Sequence, residues 1–109
     1  AVTAISGSGP AYIFYLMEAM IKAASELGLT HEIARKLTLH TTLGAAQMAI
    51  NSNDDPGILR RNVTSPGGTT EGAVSVFDHE DVEEILIRAI LKAHERSIEL
   101  SLAADNDDA

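Results

Sequence analysis

The chain has 109 residues, 45% of them apolar, enough for one domain with a core and hardly for two. Its formal net charge of −8, with eight scattered basic residues, argues against a nucleic-acid binder, which neutralises phosphates with clustered Lys and Arg. It contains no cysteine, which rules out a disulfide framework or a thiolate metal site and fits a reducing cytoplasm.

Ser6-Gly7-Ser8-Gly9-Pro10 reads as a turn that feeds a first helix from about Pro10 to Leu27. Ile13, Leu16, Met17, Met20, Ile21, Ala24 and Leu27 recur there at helical spacing, and Gly28 is the stop. Glu18 and Lys22 interrupt this stretch well short of a membrane span, and its start lacks the basic residues of a signal peptide. A soluble, cytoplasmic protein with no membrane or nucleic-acid partner is expected.

Thr30 is the N-cap expected for a second helix whose stripe is Ile33, Leu37, Thr41, Gly44, Ala45 and Met48. The polar run Asn51–Asp55 ends it, and Asp55-Pro56 caps a short turn containing Ile58 and Leu59. Val63-Thr64-Ser65-Pro66-Gly67-Gly68-Thr69-Thr70 follows as a loop rich in glycine and hydroxyl groups. Thr69 or Thr70 can cap the next helix, through Val74 and Phe77, with Glu71 in its first turn. The last helix is expected from near Asp81 to about Leu102, on Val82, Ile85, Leu86, Ala89, Ile90, Ala93, Ser97 and Leu100. Residues 103–109 form an acidic tail expected to be disordered. Helices this long and amphipathic leave a small domain with surplus apolar surface, and helix-on-helix dimerisation is the natural way to bury it.

Several motifs fail on inspection. His31-Glu32-Ile33-Ala34-Arg35 starts like a zinc-protease helix but has Arg35 where the second histidine belongs. His40, His79 and His94 are dispersed, and no metal site is expected. Gly7-Ser8-Gly9 has Tyr12 where a dinucleotide fingerprint needs its third glycine, and no serine has glycine two residues away on both sides, as a nucleophile elbow requires. The loop 63–70 lacks the lysine of a P-loop. Two readings of it stay open: a plain crossing between helices, or an anion cradle in which amides of Gly68, Thr69 and Thr70 hold a carboxylate while Ser65 adds a hydroxyl.

Taken with Pro56, Leu59, Ala73-Val74 and Phe77-Asp78, the loop resembles the pyrroline-5-carboxylate reductases. Ser6-Gly7-Ser8-Gly9-Pro10-Ala11-Tyr12, Glu26-Leu27-Gly28-Leu29 and Gly44-Ala45-Ala46-Gln47-Met48 extend the resemblance over nearly the whole chain, the tail excepted. It implies an all-α fold, a helical bundle over residues 1–102 that interlocks with a second copy as a homodimer, with higher assembly open. It also implies that this is the C-terminal dimerisation and substrate domain, without the Rossmann-type domain that holds NADPH or NADH. The implied reaction is reduction of a small imino acid, 1-pyrroline-5-carboxylate, to proline, with no turnover expected of this chain alone. By the same resemblance, Ser65, Gly68 and Thr69 hold the substrate carboxylate. Thr70 orients and hydrogen-bonds the ring nitrogen as catalytic residue, with water the ultimate proton source, and Asn62 lies near the nicotinamide. Two rivals are a non-catalytic oligomerisation module and the second domain of a related imine or keto-acid reductase.

Overall fold

The computed structural model describes residues 1–107, and the last two residues of the expected tail lie outside them. Every regular element among the described residues is helical, in keeping with the all-α expectation. The α-helices are α1 (Gly9–Glu26), α2 (His31–Ile50), α3 (Pro56–Asn62), α4 (Thr69–His79) and α5 (Val82–Asp107), preceded by a short π-helical segment, Thr3–Gly7.

Local chemistry accounts for most boundaries. Gly28, at φ +98°, ends α1: its N–H reaches the Ser25 carbonyl and that of Leu29 reaches Ala24, both at 3.1 Å. This is a Schellman closure, in which a left-handed glycine lets two late carbonyls find donors. Thr30 caps α2 through a 3.3 Å bond from the Ile33 N–H to its Oγ1. Pro56 opens α3, while Asp55 occupies the cap position without a side-chain bond. Asp81, at φ +54°, breaks the chain direction before α5. That helix continues five residues past the end expected near Leu102, to Asp107.

Two compact units divide the chain, where the sequence leads one to expect a single one. In the unit of Ala1–Tyr12 and the chain from Val74 onward, the π-helical segment packs on α5. The segment closes with the Ser8 N–H on the Thr3 carbonyl at 2.9 Å, and the Tyr12 hydroxyl donates to the Ala4 carbonyl at 2.9 Å. The sequence suggested only a turn here, because a single π-turn leaves no periodic signature.

The other unit, Ile13–Ala73, holds most of α1, all of α2 and α3, and the glycine loop. On the part of α1 in this unit the half-buried residues are Met17, Met20, Ile21 and Ala24, four of the expected stripe. On α2 the covered face differs from expectation. Ala34 and Thr38 are buried and Leu39, Thr42 and Gly44, the last a member of the expected stripe, are half-buried, whereas Ile33, Leu37 and Met48 remain about half exposed. Small residues one turn apart admit a close neighbour, so the covered face lies one position round the helix from the large side chains.

Only Ala4, Ala34 and Thr38 are buried among the described residues, so the apolar stripes are largely uncovered. The chain exposes 8724 Å². A compact monomer of 11.6 kDa exposes about 5,800 Å², which leaves an excess of roughly 2,900 Å². No helix among the described residues is long and apolar enough to cross a membrane.

Candidate functional site

The loop joining α3 to α4 is a defined turn. Pro66 and Gly67 occupy its two central positions, Gly67 has φ +72°, and the Gly68 N–H donates to the Ser65 carbonyl at 3.0 Å. Proline at the first centre and a left-handed glycine at the second are the requirements of a type II turn. A side chain at Gly68 would crowd the turn, since an added Cβ would lie 3.1 Å from the Ser65 carbonyl oxygen.

The turn delivers the chain straight into α4, whose first two residues are Thr69 and Thr70. Neither threonine is therefore the cap, contrary to the sequence expectation: Gly68 precedes the helix, and its carbonyl accepts the Gly72 N–H at 3.2 Å. Glycine is tolerated at a cap, and the shift leaves the hydroxyls of Ser65, Thr69 and Thr70 without partners within the described residues. The N–H groups of Thr69 and Thr70 belong to the first turn, which has no acceptor inside the helix. With Glu71 in that turn, a bound carboxylate has a like charge nearby as well as the helix dipole.

The expected site residues thus separate by role. Ser65, Thr69 and Thr70 are exposed along one turn and one helix start, with hydroxyl groups available to a ligand. The Gly68 N–H is engaged in the turn, whereas the N–H groups of Thr69, Thr70 and Glu71 make no backbone bond at the start of α4. Asn62 is the exposed last residue of α3, three positions before Ser65. Ion pairs occur on α2, Glu32–Lys36, and on α5, Lys92–Glu95 and Arg96–Glu99, and none involves a loop residue.

Sequence reasoning passed over two neighbours of the loop. Thr64 donates its hydroxyl to the Arg60 carbonyl and its N–H to the Arg61 carbonyl, the latter at 3.1 Å. A hydroxyl residue just past the end of a short helix is the signal that marks it. An open cavity of about 340 Å³, walled by Met48, Ala49, Leu59 and Val63, carries Arg60 as its single charged group. Its wall comes from the end of α2 and from α3 with Val63, and the periodicity of one helix cannot show how two consecutive helices face each other.

The described residues include no strand, hence no βαβ unit of the kind that binds a dinucleotide, and no cluster of side chains suited to a metal ion.

Residues 1–100 match the family described as pyrroline-5-carboxylate reductase dimerisation. The pyrroline-5-carboxylate reductase of Pseudomonas aeruginosa is 54% identical over 101 residues, 93% of this chain and 37% of the relative. That of Arabidopsis thaliana is 45% identical, again over 93% of this chain and 37% of the relative. Among solved structures, the pyrroline-5-carboxylate reductase of Coxiella burnetii superposes with a TM-score of 0.87 at 50% identity, covering 91% of this chain and 37% of that one. The Plasmodium falciparum pyrroline carboxylate reductase, solved with NADP bound, gives 0.84 at 33% identity, covering 88% and 37%. The chain spans a little over a third of the length of the relatives it matches.

Proposed function

Since this chain belongs to the pyrroline-5-carboxylate reductase dimerisation family, we propose that it forms the dimerisation and substrate-holding part of a reductase that converts 1-pyrroline-5-carboxylate to proline. The observation that carries the reading is the type II turn at Ser65–Gly68 running directly into α4, with three free hydroxyls and the free first-turn amides at one helix start. Such a cradle suits a small carboxylate, because preorganised N–H groups at a positive helix end bind an anion without a buried lysine or arginine.

In this reading the Thr69 and Thr70 amides and the Ser65 hydroxyl hold the substrate carboxylate, and Gly68 keeps the backbone close. The Thr70 hydroxyl lies at the ring nitrogen, orients it and hydrogen-bonds it as the imine becomes an amine. A threonine hydroxyl at its ordinary pKa is a weak acid, so water is the ultimate proton source. NADPH or NADH, held by another part of the full-length protein, supplies the hydride, and Asn62 lies on the side of the loop nearest it. The protein is a homodimer that acts in the cytoplasm on this small imino acid, with neither nucleic acid nor membrane as partner.

The excess surface of roughly 2,900 Å² supports the pairing, since a second copy would cover area on the scale of an obligate interface. It equally favours one rival, a pairing module whose loop is only structural. The two differ in one assay. In the full-length protein, pyrroline-dependent NADPH oxidation should be present, absent from the 109-residue chain alone, and about 10- to 100-fold slower in Thr70→Ala with folding little changed. Wild-type turnover in Thr70→Ala would remove Thr70 from the mechanism, and no imino-acid reduction by the full-length protein would favour the rival.

A further inference from the structure

We infer that Thr64 is a positioning residue that holds the Ser65 backbone in place at the loop start, an inference resting on the proposed imino-acid site. Helix α3 has seven residues and is too short to hold its own end. Its late carbonyls need donors from outside. Val63 serves Leu59 through its N–H at 3.3 Å, and Thr64 serves the next two, Arg60 through its hydroxyl and Arg61 through its N–H. One half-buried residue thus closes the end of α3 with both its side chain and its backbone.

The consequence falls on the next residue. Ser65 is bracketed on one side by the double anchor of Thr64 and on the other by the bond from the Gly68 N–H to its own carbonyl at 3.0 Å. The Gly68 N–H holds the peptide plane that follows Ser65, and the Thr64 anchors hold the Cα that precedes it, so the directions open to the Ser65 Cα–Cβ bond are narrowed from both sides. Thr64 also fixes the span between Asn62, the last residue of α3, and Ser65. It touches neither substrate nor cofactor, and its effect is to keep Ser65 at one distance and angle from Asn62. Removing the hydroxyl leaves the Arg60 carbonyl without that donor and frees the start of the loop to rotate.

The test uses the full-length protein with Thr64→Val, which keeps the shape and removes the hydroxyl, with Thr64→Ala as a second deletion and Thr64→Ser as the conservative variant. We expect the KM for 1-pyrroline-5-carboxylate to rise about three- to tenfold in the Val and Ala variants, the factor one hydrogen bond commands. The KM for the nucleotide should stay at the wild-type value, and Thr64→Ser should restore the substrate KM to within about twofold. A role confined to folding would lower the amount of active protein and leave KM unmoved. Unchanged substrate KM in either deletion variant, failure of Thr64→Ser to restore it, or loss of folding in both deletion variants overturns the inference. A wild-type protein that does not reduce the imino acid refutes the functional reading beneath it, a result distinct from any of these.

Discussion

Replacing Gly67 and Gly68 one at a time separates two physical demands that the loop makes at adjacent positions. Gly67 has φ +72° with open space where a Cβ would go, so its demand is purely conformational. An alanine there incurs roughly 1–2 kcal/mol for the left-handed backbone, whereas asparagine tolerates that region better. Gly68 has an ordinary φ, but an added Cβ would stand 3.1 Å from the Ser65 carbonyl oxygen and 3.5 Å from the Ser65 Cβ. The nearer neighbour is backbone, and it is the same oxygen that accepts the Gly68 N–H at 3.0 Å, so relieving the crowding weakens that bond. Roughly 1–3 kcal/mol is expected, as for other overpacked sites. Thermal unfolding of the 109-residue chain at one fixed concentration, followed by circular dichroism, reads both, at roughly 4–8 °C per kcal/mol for a domain of this size. Gly67→Ala should lower the midpoint and Gly67→Asn should recover most of the loss. Gly68→Ala and Gly68→Asn should both lower it, with no recovery by asparagine. Equal damage from Gly67→Asn and Gly67→Ala, or a wild-type midpoint for Gly68→Ala, would refute the assignment of the two roles.

Two further outcomes are expected. Dilution should cost the 109-residue chain its helical signal together with its pairing, because a chain that buries only Ala4, Ala34 and Thr38 among its described residues has little to hold it alone. Sedimentation and circular dichroism over a concentration series check this, and a folded monomer with a concentration-independent midpoint would contradict it. Tyr12→Phe should remove the bond to the Ala4 carbonyl and destabilise the π-helical segment by about 1 kcal/mol. Faster hydrogen exchange at the Ser8 amide, which closes the π-turn, is the signature to seek.

The elements that sequence reasoning located well are those whose ends carry their own chemistry. Gly28 needs no tertiary context to stop α1, Thr30 caps α2 with an atom of its own, and Pro56 opens α3 by its ring geometry. The position of the loop was legible, whereas its type II turn, which a proline followed by glycine favours, appears only in the structure. What escaped was set by neighbours. The π-turn at Thr3–Gly7 has no spacing pattern, and its Tyr12–Ala4 bond spans eight residues. The covered face of α2 turned out to be Ala34 and Thr38, because periodicity marks where large apolar side chains recur, whereas close packing within one chain selects the small ones.

Sequence alone therefore sufficed for the all-helical class, the helix order, the position of the loop and the family resemblance, all properties of residues within a few positions of one another. It placed the anion cradle on Gly68, Thr69 and Thr70 together. Folding divided that set: once the Gly68 N–H closes the turn on the Ser65 carbonyl and α4 begins at Thr69, only the later amides and three hydroxyls remain for a ligand. Which donors stay free depends on every bond made around them, and that account can be completed only when the backbone has taken its course through space.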